Sequence, residues 1–370
     1  MRKLTNIAVL PGDGIGPEVV DQAIKVLEAI GERYKHEFHF THGFVGAAAI
    51  DKTGNPCPPE TIDLCKSSDA ILMGAIGDPK YDKDPTAKVR PEQGLLKLRK
   101  SLELFVNIRP IRLFENLAGL SVIKPSVLKN VDFVIYRELT GGIYFGKKEK
   151  GDDYASDECF YSRHEIERVS ILAFEEAMKR RKKLTLIDKA NVLETSRLWR
   201  DVVMDLSKKY PEVEVDYLYI DNAAMQVILN PSRFDVMLCD NMFGDIISDE
   251  ASVLVGSLGL LPSGSRGEKY SLYEPVHGSY PEAAGKDIAN PMATILSVEM
   301  MLRDAGMIEE ADTVQRAIDF CMEKSILTED LNPNINYSCS QMGDIISTLI
   351  VEGPEALKTK SLHEANSTIV

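Results

Sequence analysis

The sequence predicts a layered α/β protein of two domains, on three observations. Its 370 residues exceed the length at which a single core usually stops growing. Short apolar runs alternate with amphipathic stretches along most of the chain, the pattern of helices laid on a sheet. The hydrophobic content of 44% is that of a globular protein rather than a fibrous or disordered one.

The first elements read in order. NIAVL (6–10) is a short apolar strand, PGDGIGPE a glycine-rich turn, and VVDQAIKVLEAI an amphipathic helix ended by Gly31. HEFHFTH resumes a strand pattern. Pro58 and Pro59 precede a helix that ends near Ser68, and AILMG is a buried strand running into a loop around Pro79.

The middle changes character. ELFVNIRPIRLF and VDFVIYREL are extended, and TGGIYFGKKEKGDDYASDECFYS reads as glycine-turned strands with a polar excursion. EIERVSILAFEEAMKR is a helix, LTLIDK a strand, SRLWRDVVMDLSKKY a helix, and VEVDYLYID and FDVMLCD two further strands. This stretch is expected to be the second α/β domain. FGDIISDEASVLVGSLGL enters a long helix, and the glycine- and proline-rich segment up to Pro291 is read as a long functional loop without regular structure. Two helices, around 291–304 and 311–324, follow, and the residues after Gly353 lose periodicity.

A net charge of -14, from 43 basic and 57 acidic side chains, disfavours a general nucleic-acid surface. No run is long enough to cross a bilayer, and the amino terminus enters a strand without a signal-peptide core, so a cytoplasmic location is expected. The six cysteines show no CxxC or metal-ligand spacing, which fits a reducing compartment.

Three carboxylates mark the candidate site. Asp245 and Asp249, four apart beside Ile246, Ile247 and Val253, fall on one helical face, where their mutual repulsion of roughly 0.2–0.5 kcal/mol would be reversed by a cation. Asp221 ends a strand-like run and could supply a third oxygen if the fold brings it alongside. Arg99, Arg109 and Arg137, each beside apolar residues, could form the bidentate forks that hold two carboxylates of a small acid. One such arginine alone would commonly be just solvated. The basic run 179–183 closes a helix and is read as a solvated terminus. Tyr144 after a TGG turn and Lys189 after LTLID offer a phenolic donor and an amine acid/base group, although either alone is better read as surface packing. His277, in the long loop, could contact a base or be structural. Trp199 reads as core. The turn around Asp13 lacks the third glycine and the acidic ribose partner of a nucleotide fingerprint, so it is read as a packing turn.

Taken together, LPGDGIGPEV, PEQGLLKLRK, NIRP, YRELTGGIYFG, DKANVLE, DNMFGDIISDEAS and EPVHGSYPEAAGKDIANP, in that order, closely resemble the isocitrate/isopropylmalate, or β-decarboxylating, dehydrogenase family over nearly the whole chain. The resemblance implies that family's two-domain fold, distinct from an ordinary Rossmann nucleotide domain. It places residues 1–104 with 256–370 in a first domain and 105–255 in a second that carries the dimer contact.

The resemblance also assigns roles. Arg99, Arg109 and Arg137 would hold the substrate carboxylates, and Asp221, Asp245 and Asp249 a Mg2+ or Mn2+ ion. Lys189 and Asp221 would come from the second subunit of a homodimer. Tyr144 would be the proton donor and Lys189 the group that draws the substrate hydroxyl proton. His277, Gly278, Ala289 and Asn290 match the family's NAD-binding pattern. Glu282 and Ala283 stand where NADP-dependent relatives place lysine and tyrosine and NAD-dependent ones aspartate and isoleucine. A carboxylate there accepts from ribose hydroxyls and repels a phosphate, so NAD is expected. Glu92 would lie near the nicotinamide, and Leu95, with Leu96 beside it, would meet a branched alkyl group where isocitrate-type members present serine and asparagine. The expected reaction is NAD-dependent oxidative decarboxylation of 3-isopropylmalate to 4-methyl-2-oxopentanoate, in leucine biosynthesis. Malate, tartrate or homoisocitrate are the enzymatic alternatives, and a non-catalytic metal-dependent binding protein is the alternative of another class.

Overall fold

The computed structural model describes residues 4–83, 89–117, 119, 121–334 and 337–355. It divides into two compact units: Met1–Leu98 with Ser257–Gly264 and Ser271–Val370, and Arg99–Gly256 with Ser265–Tyr270.

The first stretch comprises β1 (Asn6–Gly12), α1 (Gly16–Tyr34), β2 (His39–His42), α2 (Ala47–Thr53), α3 (Pro59–Ser67), β3 (Ala70–Ala75), α4 (Pro79–Asp82) and α5 (Pro91–Ser101). β1 lies between β2 and β3 and is parallel to both, with Ile7 opposite Phe40 and Ala70. β3 is buried along its whole length, which requires cover on both faces and explains why AILMG shows no alternation. α1 ends at left-handed Lys35, and only then does the chain become extended, so β2 is shorter than HEFHFTH suggests. The turn after β1 serves packing, as its sequence indicates. Gly12 has φ 74°, and a Cβ there would sit 2.0 Å from the Ala75 carbonyl oxygen.

The second stretch holds β4 (Val106–Arg112), α6 (Pro125–Leu128), β5 (Asp132–Glu138), the exposed hairpin β6 (Lys148–Lys150) and β7 (Ala155–Asp157), and α7 (Arg163–Lys179). β8 (Lys183–Asp188), α8 (Glu194–Ser207), β9 (Glu214–Tyr219), α9 (Ile220–Leu229), β10 (Val236–Cys239) and α10 (Asn241–Val255) follow. The strands run β4-β5-β10-β8-β9, antiparallel between β4 and β5 and parallel beyond. α7 starts on a capping box between Ser162 and Glu165. Trp199 on α8 is buried edge-on against Tyr161, as a core residue.

Further along the chain, β11 (Pro262–Arg266) and β12 (Ser271–Pro275) precede α11 (Met292–Asp304), α12 (Ile308–Glu323) and α13 (Cys339–Glu352). These strands correct the sequence expectation of an unstructured segment up to Pro291. PSGSR has poor strand propensity, but Pro262–Ser265 is fully buried, and there the backbone must find partners in a sheet. α13, which packs on α1, was likewise not anticipated. The tail beyond Gly353, apart from its first two residues, lies outside the described residues. No helix among the described residues is long and apolar enough to cross a membrane.

Candidate active site

Strand register brings the arginines together. Asn107 on β4 stands directly opposite Arg137 on β5, so Arg109, two residues along the same face, falls diagonally beside Arg137. Both are buried, as is Arg99 near the end of α5. Asn107 Oδ1 accepts from Arg109 Nε at 2.7 Å, and Ser248 Oγ from Arg109 Nη1 at 2.6 Å.

Asp245 and Asp249 do share one face of α10. Arg109 reaches both, Nη1 lying 3.4 Å from Asp249 Oδ1 and Nη2 4.0 Å from Asp245 Oδ1. Asp245 Oδ1 also accepts from Arg137 Nη1, and its Oδ2 accepts from the Tyr144 hydroxyl at 2.9 Å. Within this chain, guanidinium groups offset the repulsion between the two aspartates. Asn241, at the start of α10, fixes Arg137. Its Oδ1 accepts from Nη2 at 2.9 Å and its carbonyl from Nε at 2.9 Å, while its Nδ2 donates to the Gly141 carbonyl at 3.1 Å. Gly244 makes the approach possible, since a Cβ there would stand 2.6 Å from Arg137 Cγ.

The electrostatics are unfavourable to the cations. Burial first, then the neighbouring Arg109, pull the Arg137 pKa down to about 10, against the raising effect of Asp245. Burial, and the hydrogen bond to Asp245, hold the Tyr144 phenol above its ordinary value, so it stays protonated at neutral pH. Asp240, whose side chain caps α10 by accepting from Phe243 N at 2.7 Å, is pushed to about 7, chiefly by burial.

Asp221 and Lys189 form a separate pair, Nζ to Oδ1 2.9 Å, which holds the Asp221 carboxyl below its usual range. Asp221 does not end a strand; β9 stops at Tyr219, and Asp221 lies in the first turn of α9. Among the described residues no group of three or more His, Cys, Asp or Glu side chains could hold a metal ion. The fold therefore does not bring Asp221 alongside Asp245 and Asp249 of its own chain. The basic run is less solvated than its sequence suggests: Arg180 and Arg181 pair with buried Asp235.

In the first unit, His277 Nδ1 lies 2.9 Å from the Gly278 carbonyl oxygen. That oxygen can only accept, so Nδ1 carries the proton and Nε2 bears the lone pair. Nε2 is buried without a hydrogen-bond partner, and burial lowers the ring's pKa. Gly278 is exposed, as is Glu282 on a 3-10 turn, Pro281–Ala283. The Ala289 methyl packs with Ile15, Val19, Ala283 and Cys339. Asn290 donates from Nδ2 to Asp330 and accepts from Met292 N. Glu92 opens α5 near Gly77 and Ser279. Leu95, half-buried, precedes Arg99 by one turn on the same helix.

A family model described as isocitrate/isopropylmalate dehydrogenase matches residues 6–346. The chain belongs to that family. Proteins named 3-isopropylmalate dehydrogenase are among its relatives. That of Bacillus licheniformis is 51% identical over 343 residues, covering 90% of this chain and 92% of its own. That of Aquifex aeolicus is 50% identical over 363 residues, covering 96% and 99%. Among solved structures, an isocitrate dehydrogenase from Methylococcus capsulatus superposes with a TM-score of 0.84 at 34% identity, over 94% of this chain and 100% of that one. A β-decarboxylating dehydrogenase from Thermococcus kodakarensis, in its apo form, gives 0.77 at 34% identity over 94% and 96%. The α/β fold is the two-domain architecture of this family, and membership supports β-decarboxylating dehydrogenase activity.

Family members are oxidoreductases, and the donor sets present suit their cofactors. Asp245 and Asp249 offer hard carboxylate oxygens suited to Mg2+ or Mn2+. Sequence reasoning missed Asn107, Asn241 and Ser248, which orient the arginines. Asn241 directly follows a helix-capping aspartate, and that position was the available signal.

Proposed function

We propose that this chain oxidises 3-isopropylmalate with NAD and decarboxylates the product to 4-methyl-2-oxopentanoate, a step serving leucine biosynthesis, as a homodimer that uses Mg2+ or Mn2+. The observation that carries this reading is the cluster of three buried arginines beside Tyr144 and Asp245, on elements that include Leu95 one turn before Arg99. Mutually repelling, desolvated guanidinium groups favour an anionic ligand with two carboxylates. Leu95 and Leu96 favour an alkyl substituent: each buried methylene-sized group is worth about 0.8 kcal/mol, whereas a third, unpaired carboxylate would be penalised. The relatives named for isopropylmalate support the same choice.

Arg99, Arg109 and Arg137 hold the substrate's carboxylates. Lys189 of the partner subunit, oriented by Asp221 of the same subunit, takes the C2 hydroxyl proton, directly or through water. When bound, a divalent cation would supply Lewis acidity and NAD the hydride-accepting chemistry that this oxidation requires. The C3–carboxylate bond then breaks, its electron pair entering the enol as carbon dioxide leaves. Tyr144, protonated at neutral pH and held against Asp245, gives its proton to C3. Asp245 and Asp249 would hold the cation with Asp221 of the partner subunit. His277, Gly278, Ala289 and Asn290 would hold the adenosine, Glu282 would accept from its ribose, and Glu92 would lie at the nicotinamide end.

Initial rates with 3-isopropylmalate, isocitrate, homoisocitrate, malate and tartrate, each with NAD and NADP, test the proposal. The highest kcat/KM is expected for 3-isopropylmalate with NAD. A preference for isocitrate, or for NADP, would refute the substrate or cofactor assignment, and absence of reduced cofactor with every acid would leave a binding protein.

A further inference from the structure

The glycine-rich turn between β1 and α1 is the one sequence motif that the proposed chemistry leaves without a role. In a nucleotide fingerprint such a turn donates backbone N–H groups to phosphate. Here the turn works in the opposite sense, its carboxylates accepting N–H groups from other loops. Asp13 accepts from Ala47 N at 2.9 Å, Ala48 N at 2.8 Å and Gly77 N at 2.9 Å. Glu18, in the first turn of α1, accepts from Gly285 N with one oxygen and from Asp287 N with the other, the latter at 3.1 Å.

The segment that Glu18 grips is also tied elsewhere. Ile15 N donates to the Ser279 carbonyl at 2.8 Å, fixing its start. Asp287 holds its end against α13, accepting from Ser340 N at 2.7 Å and Ser340 Oγ at 2.6 Å, while its carbonyl accepts from Cys339 N at 2.9 Å. Asp287 does this in a left-handed conformation, φ 58°, which a residue with a side chain adopts only when its surroundings impose it. Between these ties lies the 3-10 turn bearing Glu282, and on either side stand His277 and Asn290. Glu18 thus anchors the later part of the segment from α1 by hydrogen bonds, where Val19 packs with Ala283.

We propose that Glu18 is a positioning residue for the cofactor: by holding Gly285 and Asp287 it fixes the loop that receives the adenosine of NAD. The inference rests on the NAD reading above. It gives a role to a fingerprint-like motif whose carboxylates accept N–H groups from other loops.

The test uses the full-length enzyme carrying Glu18→Ala and, as the milder change that keeps one acceptor oxygen, Glu18→Gln. NAD affinity is measured by calorimetry, KM for NAD and for 3-isopropylmalate by initial rates, and backbone order by amide hydrogen exchange over 284–288. Loss of two carboxylate-accepted hydrogen bonds at a half-exposed site should weaken NAD about tenfold in Kd and KM in Glu18→Ala, and less in Glu18→Gln. Exchange at Gly285 and Asp287 should quicken, with kcat at saturating NAD and KM for the hydroxy acid unchanged. Should Glu18→Ala not fold, Glu18→Gln carries the comparison. Wild-type affinity for NAD in the variants, or an equal rise in both KM values, overturns the proposal alone. A wild-type chain that does not bind NAD overturns the cofactor reading and this inference together.

Discussion

Replacing Asp240 by asparagine should make the protein more stable, and increasingly so as pH rises. Asp240 is 8% exposed and caps α10 through a 2.7 Å hydrogen bond from Phe243 N. Burial, reinforced by the nearby Glu138, raises its pKa from the ordinary 3.8 to about 7. Between those values the folded state binds a proton that the unfolded state has released, so stability falls with rising pH across this window and levels off above about 7. The slope is about 1.4 kcal/mol per pH unit, and across the whole window the loss has a ceiling of about 4 kcal/mol. Asparagine carries no charge at any pH and serves as well as aspartate at an N-cap, with its Oδ1 free to accept from Phe243 N.

Urea unfolding of both proteins at pH 5, 6, 7 and 8, at one fixed protein concentration, isolates the effect, because every other titrating group cancels in the difference. The advantage of Asp240→Asn should be small near pH 4 and reach about 2–4 kcal/mol at pH 8. A difference that is constant with pH, or that shrinks as pH rises, would show that the buried carboxyl is already ionised in the folded state.

Tyr144→Phe removes one hydrogen bond, to a half-exposed carboxylate, and should cost about 1 kcal/mol of stability while slowing enol protonation roughly 10²- to 10⁴-fold. Comparing hydride transfer with product protonation checks the assignment, and equal losses in both steps would contradict it. Gly244→Ala places a methyl 2.6 Å from Arg137 Cγ, whose guanidinium Asn241 and Asp245 already hold, so it should destabilise by about 1–3 kcal/mol and raise the substrate KM more than that of NAD. Mixing inactive Lys189→Ala and Tyr144→Phe chains should restore about a quarter of wild-type activity if sites are shared across a two-fold dimer, because half the dimers then carry one intact site. No recovery after confirmed subunit exchange would place Lys189 in its own chain's site.

What the sequence disclosed follows from how local each signal is. Arg109 and Arg137 were legible as candidates because strand alternation and apolar flanks are local, and Asp245 and Asp249 because helix spacing is. Their pairing with one another depends on the antiparallel register of β4 and β5, which no local pattern states. β11 escaped notice because burial, not propensity, makes PSGSR a strand. Glu18 went unremarked within the glycine-rich turn PGDGIGPE; its partners lie more than 260 positions away. The loop proposed to receive adenosine was recognisable only through the family resemblance, since single histidines and glycines in a loop carry no ligand-specific spacing.

The arrangement around Asp245 also argues against a fold kept for binding or architecture alone. Three arginines buried together, with Arg109 and Arg99 helping burial to depress the pKa of Arg137, lower stability, and apolar residues of similar volume would commonly do better in a core. Such a cost persists where a ligand's charge offsets it, which accounts for the arginines in either a binder or an enzyme. Tyr144 favours the enzyme. Its hydroxyl donates to the same carboxylate that Arg137 holds, on a 3-10 turn, Gly142–Tyr144, whose preceding carbonyl at Gly141 is fixed by Asn241. A site that only gripped a dicarboxylate would need the arginines, but not a protonated phenol braced among them. Proton delivery to the carbon that loses its carboxylate, the step proposed for Tyr144, would use that phenol.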